Sequence, residues 1–214
     1  MASSSPSVFI IESLRFHDEE RERFEGRFLS QILHLGGSAA RYVYLRTKKE
    51  LGDVLDQFAK SRYRYLHFSC HGNETGIELT LDDLSFRDLR KLLAPHLAKR
   101  RVFFSSCEVT NRRLAKALLS DSDCYSVIGP CTKINFDRAA IFWASFYHLM
   151  LRDEATSMKR STLTEITGSL QSLFGVHMRY FTASGSAPDG FKEVDLAANH
   201  AVQRAGARVA RPSP

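Results

Sequence analysis

The sequence predicts a three-layer α/β sandwich with a mainly parallel central sheet of about six strands flanked by helices. Three observations predict it. Short runs rich in Val, Ile, Phe and Tyr alternate with amphipathic helical patterns along the chain, as a βαβ fold with helices on both sheet faces requires. The run over residues 63–70 has aromatic and apolar bulk at successive positions, so it suits a strand covered on both sides. The chain has 214 residues, 43% hydrophobic and 25% charged, enough for one core and outside the composition of disordered chains.

Taken in order, residues 8–13 read as the first strand, opened by Val8, Phe9, Ile10 and Ile11. Residues 19–35 read as one helix, charged and then apolar, stopped by Gly36 and Gly37. A second strand covers 41–45, and Thr47 caps a helix reaching about residue 60. The third strand ends at His71-Gly72. Over 76–81, Ile77, Leu79 and Leu81 alternate with Glu78 and Thr80, a short hairpin or edge strand, followed by a helix from Ser85 to about 99. The fourth main strand, 101–105, runs into Ser106 and Cys107, and a helix fits 111–120. Cys107 is thus expected at a strand C-terminus facing a helix start, where open α/β sheets place their sites. A fifth strand covers 124–129, apolar and amphipathic helices cover 137–151 and 161–174, and a last strand covers 179–183. Residues 1–6 are expected to be disordered, 7–187 to form the domain, and 188–214 to be a partly disordered basic tail.

The formal charge of +6 owes part of its excess to Arg204, Arg208 and Arg211 in that tail. Dense basic residues interleaved with aromatics do not mark the rest, so direct nucleic-acid binding is not expected. Nor does any apolar run approach the roughly 20 residues of a membrane span, and the first residues lack a secretory pattern. The expected location is the cytoplasm, with Cys70, Cys107, Cys124 and Cys131 reduced.

His71 and Cys107 follow two strands that, if parallel neighbours, deliver both side chains to one sheet edge. A thiol becomes a good nucleophile when a histidine takes its proton or a helix N-terminus lies behind it. The backbone amides at Gly72 and Cys107 are then candidates for stabilising an oxyanion, and glycine there allows close approach.

Tyr65-Leu66-His67-Phe68-Ser69-Cys70-His71-Gly72, the segment 81–93, and Val102-Phe103-Phe104-Ser105-Ser106-Cys107 together resemble the CHAT branch of caspase-like cysteine peptidases. The resemblance extends through 115–129 and the helix after it, about 85 residues in all, with 36 residues between His71 and Cys107. It implies a caspase-like fold and a cysteine endopeptidase. In it His71 is the general base, Cys107 the thioester-forming nucleophile, and the amides of Gly72 and Cys107 the oxyanion donors. It also implies no cofactor, a protein or peptide substrate, a separate activator or sensor protein, and an effector role in bacterial signalling or antiphage defence. The sequence departs from the family pattern at Cys70, where small or hydroxyl residues are common.

Plainer readings stand beside these. Cys107 reads also as a small buried residue, and His71 as a solvated turn residue. His67 shares a strand face with His71, but no third convergent ligand appears, so no metal is expected. Cys124 and Cys131 read as packing residues. Glu108 reads as a substrate-pocket residue favouring a basic side chain or, preferred here, as a helix-start residue matching the dipole. Arg15, Arg41 and Lys133 are unranked alternatives for lining the pocket. Phe142, Trp143, Phe146 and Tyr147 have helical spacing and read as core or subunit interface. The alternative function is a catalytically inactive caspase-like scaffold. A nucleotide-binding or receiver-like domain ranks lower, because no glycine-rich loop follows the first strand.

Overall fold

A computed structural model of the chain describes residues 8–120, 122–151 and 158–196. Its strands are β1 (Val8–Ser13), β2 (Ala40–Tyr44), β3 (Tyr65–Asn73), β4 (Gly76–Glu78), β5 (Asp83–Ser85), β6 (Arg101–Ser105), β7 (Ser126–Pro130), β8 (Met178–Ala183) and β9 (Phe191–Glu193). The main path runs β2-β1-β3-β6-β7-β8-β9. The first five of these are parallel, and β8 and β9 continue the sheet antiparallel. β4 and β5 form a hairpin on the outer end of β3.

The helices are α1 (Phe16–Glu20), α2 (Glu25–Leu35), α3 (Lys48–Lys60), α4 (Phe86–Leu93), α5 (Arg112–Leu119), α6 (Phe136–Leu151) and α7 (Arg160–Phe174). Because strand side chains alternate between faces, β1 sends Phe9 and Ile11 to one cluster and Val8 and Ile10 to another. The first cluster also holds Leu55 and Phe58 of α3, Leu89 of α4 and Leu118 of α5. The second holds Leu29 of α2, Phe142, Trp143 and Phe146 of α6, and Leu163 of α7. Two helical layers therefore enclose the sheet, and the α6 aromatics are core.

Local chemistry sets several boundaries. The Thr47 hydroxyl accepts from the Glu50 amide while the Glu50 carboxylate accepts from the Thr47 amide, a reciprocal cap that starts α3. Asn111 caps α5 through the Arg113 amide. Gly175 ends α7 in the left-handed conformation, φ 59°.

Three expectations need correction. The single helix over 19–35 is two, because the chain turns at Glu22, whose φ is 53°, and restarts at Glu25. α5 starts at Arg112 with Asn111 as its cap, close to expectation, but Glu108 lies ahead of that cap with a left-handed φ of 60° and is not a helix-start residue. The sheet also passes the expected boundary at 188, since β9 pairs with β8 and Phe191 is buried against Phe181. The expected N-terminal segment 1–6 and the tail beyond 196 lie outside the described residues.

Candidate active site

β3 and β6 are parallel neighbours in the middle of the sheet, in register up to Ser69 opposite Ser105. His71 and Cys107 each come two residues later, at the same C-terminal edge. The two strand ends touch on the opposite face through Cys70 Sγ and Ser106 Oγ at 3.2 Å. Cys70 is buried there, which pushes its thiol up to about 12 and makes it inert at neutral pH. A β-carbon at Gly72 would lie 2.3 Å from Val109 Cγ2 and 3.4 Å from Ser106 Cβ. Gly72 belongs to β3, so its role here is close approach between the two loops and not a positive φ.

His71 is held by a residue the sequence reading did not single out. Its Nε2 lies 2.7 Å from Oδ2 of Asp18, whose side chain is 1% exposed. Asp18 also accepts from Arg23 Nη1 at 2.9 Å, and the exposed His17 approaches at 3.3 Å. Burial alone would raise the Asp18 carboxyl, but hydrogen bonds from His71 and Arg23 outweigh it and hold the group below the usual carboxylate value. An ionised carboxylate can only accept, so His71 Nε2 carries a proton and, in the neutral ring, Nδ1 is left as the basic nitrogen. The Phe136 ring meets the imidazole edge to face at 5.5 Å, and the Arg23 guanidinium lies 5.5 Å from that ring. The signal for Asp18 was topological: β1 and β3 are parallel neighbours, so the loop after β1 opens onto the same edge.

Cys107 is half-buried. Its Sγ accepts from the Ile134 amide at 3.4 Å and donates to the Ile134 carbonyl at 3.5 Å. Among the described residues no hydrogen bond joins it to His71. The following segment is pinned to the chain after β7, with Glu108 N donating to Thr132 O at 3.3 Å and Thr110 N to Pro130 O at 3.2 Å. Together with Glu74, Asn111, Arg112, Arg113, Cys131 and Arg179, Glu108 lines an open depression of about 310 Å³. The helix-start reading of Glu108 is therefore replaced by a pocket-lining position. Of the other proposed linings, Lys133 sits beside Ile134 in the loop after β7, and Arg15 pairs with Glu78. Arg41 bonds Gln57 near the start of β2, at the other end of the sheet.

Beneath the edge lies a buried carboxyl pair. Glu25, first residue of α2, accepts from Ser105 Oγ at 2.7 and 2.8 Å and from Ser69 Oγ at 2.8 Å, tying together the strand ends that carry Cys107 and His71. Glu12 accepts from Gly26 N at 2.6 Å, Arg27 N at 3.3 Å and Tyr42 Oη at 2.8 Å, capping α2 from a strand. Burial dominates both: it raises Glu12 and, with the neighbouring Glu12 charge adding, raises Glu25 to about 8. A glutamate closing an otherwise apolar strand was the visible signal for this pair.

His67 lies in the α6 core with Nδ1 2.9 Å from Tyr147 Oη, and burial lowers it to about 3. Among the described residues no three His, Cys, Asp or Glu side chains are grouped to hold a metal. Cys124 is buried, and Cys131 reaches the His177 carbonyl. Among the described residues no helix is long and apolar enough to cross a membrane.

No protein-family model matches the chain, and no curated protein matches it. Solved structures do. A secreted C11 cysteine protease of Bacteroides thetaiotaomicron, "iotapain", is similar with a TM-score of 0.53 at 11% identity, over 84% of this chain and 66% of that one. Caspase-1 of Spodoptera frugiperda is similar with a TM-score of 0.53 at 15% identity, over 89% of this chain and 85% of that one. A Geobacter sulfurreducens protein is similar with a TM-score of 0.53 at 12% identity, over 89% and 98%. At such identities the likeness is one of fold, and the fold is caspase-like.

Proposed function

We propose that this caspase-like chain is a cysteine endopeptidase acting on protein or peptide substrates, with Cys107 as nucleophile and His71 as general base. One observation carries the reading: a partly exposed histidine, its Nε2 fixed by a buried carboxylate, lies near the end of the strand beside the one that leads to Cys107. In the proposed cycle the thiol leaves the Ile134 carbonyl, gives its proton to His71 Nδ1, and the sulfur attacks the scissile carbonyl carbon. The oxyanion is held by the amides of Gly72 and Cys107, whose loops meet within van der Waals distance. His71 returns the proton to the leaving amine and then draws one from the water that hydrolyses the thioester. Asp18 orients the ring throughout and is a positioning residue. No cofactor is called for by this chemistry. Glu108 and Glu74 share the neighbouring depression with Arg112, Arg113 and Arg179, so its charge is mixed and sets no preference for one sign of substrate side chain.

The finer assignment is to the CHAT branch, working in the cytoplasm as an effector in bacterial signalling or antiphage defence and answering to a separate activator protein. The sequence motifs described above support the branch, and the four free cysteines suit a reducing compartment. A second reading, an inactive scaffold, is favoured by the Cys107 sulfur being bonded to Ile134 and not to His71.

Purified chain and Cys107→Ala, incubated with a peptide library and with proteins encoded beside it, separate the two. Cleavage by the wild type alone, read by mass spectrometry, supports the peptidase and names the residue before the cut. Absence of cleavage by either, with those proteins present as candidate activators, supports the scaffold.

A further inference from the structure

At the edge of the sheet opposite Cys107, the chain entering β3, β6 and β7 surrounds a cavity of about 350 Å³. Its lining includes Arg62, Lys99, Arg100, Arg101 and three tyrosines, among them Tyr63 and Tyr125. Such a set concentrates positive charge in a concave, partly apolar space, where fields are focused rather than dispersed.

Among the described residues the lining carries no acidic side chain beside Arg62, Lys99, Arg100 and Arg101. Arg100 spends its guanidinium on the backbone carbonyls of Phe58, Ala59 and Ser61, at 2.7, 3.0 and 3.2 Å. Arg101 bonds the Ser126 hydroxyl at 2.8 Å and the Met158 carbonyl at 3.1 Å, and stands 5.5 Å from the Tyr125 ring. These partners fix both guanidinium planes but supply no full negative charge. Burial accordingly holds Arg100 below the ordinary guanidinium value. The exposed side chains of Arg62 and Lys99 form no ion pair among the described residues, and Asp123 meets Lys99 only through its backbone carbonyl. Tyr125 is 47% exposed, and among the described residues no aromatic ring packs on it, the Arg101 guanidinium standing over its ring.

We propose that this cavity binds a small organic polyphosphate of nucleotide size, its phosphates on Arg62 and Lys99 between the pre-set guanidiniums of Arg100 and Arg101, and its base against Tyr125. Phosphate suits the site because planar, fixed guanidiniums recognise it with directed bonds. An aromatic ligand part suits it because tyrosine offers a stacking face beside them. The site is independent of the chemistry at Cys107.

The test is calorimetric titration of the full chain with ATP, tripolyphosphate and a single-stranded DNA oligonucleotide at physiological salt. ATP is expected to bind saturably and tripolyphosphate more weakly. Arg62→Glu with Lys99→Glu is expected to weaken both by about tenfold or more, the loss of two charge-assisted contacts. Tyr125→Ala is expected to weaken ATP alone. Because Arg62 and Lys99 are exposed, the paired variant is expected to melt with the wild type; if it does not, Arg62→Ala with Lys99→Ala replaces it. No saturable ATP binding at millimolar concentration, or binding unchanged by the paired variant, would overturn the site. ATP binding unchanged by Tyr125→Ala, or an oligonucleotide held more tightly than ATP through the same residues, would overturn the nucleotide assignment.

Discussion

Asp18 works against its own surroundings. A carboxyl buried to 1% exposure should prefer its neutral form, yet two cationic or proton-donating partners reverse that preference. The charge exists because His71 and Arg23 are there, and in return it fixes which imidazole nitrogen is free. Asp18→Asn keeps the shape and removes the fixed acceptor, since the amide can equally present its NH₂ to the ring. In the peptidase reading, kcat is expected to fall about a hundredfold or more with KM little changed. Steady-state cleavage of a peptide found with the library checks this, and an unchanged kcat would remove Asp18 from the machinery. Much of this was invisible from sequence. Residues 16–25 carry acids and bases at nearly every position, and nothing local marks which one turns inward. Asp18 is selected by a histidine 53 positions away.

At the scale of elements, Glu25 links three of them: it starts α2 and accepts from Ser69 of β3 and Ser105 of β6. Its folded value of about 8 lies above the ordinary 4.5. Folding therefore favours the protonated form, and the sign follows from linkage. The resulting stability is fully present below the unfolded value and is lost as pH rises toward 8, at up to about 1.4 kcal/mol per pH unit. Glu25→Gln removes this dependence. Urea unfolding at pH 5, 6.5 and 8 is expected to show the wild type losing ground to the variant as pH rises; parallel profiles would mean that Glu25 is not protonated in the fold. Elements with dense local signals were legible: β1, α3 and β6 fall on or within a residue of expectation, since each combines clear periodicity with a cap or an abrupt polar flank. The α1–α2 break was not, because amphipathicity continues across it and only Glu22's backbone shows the turn.

For the whole molecule, the sheet's closing strand is the part that composition hides. A three-residue strand has no measurable period, and Phe191 stands in a polar stretch, so 188 looked like the end of the domain. In the fold Phe191 stacks edge to face on Phe181, 6.0 Å between centroids, and Leu196 is buried in the α6 and α7 layer. A chain ending at Ala187 is expected to lose about 3 kcal/mol or more, the scale of deleting one buried aromatic. Thermal melting against the full chain checks it, and equal midpoints would return β9 to the tail. The caspase-like layering itself was readable, because alternation of strands and helices is a global pattern that survives local misjudgement.

The sulfur's bond to Ile134 has a consequence in time. Asp18, His71, Cys107 and Ile134 belong to or follow four strands adjacent in the sheet, β1, β3, β6 and β7, and they emerge from a ribosome in that order. A chain halted before β7 holds its thiol, its imidazole and its carboxylate, but not the backbone that receives the sulfur. The backbone that holds the Cys107 sulfur is therefore the last part of this sheet edge to be made.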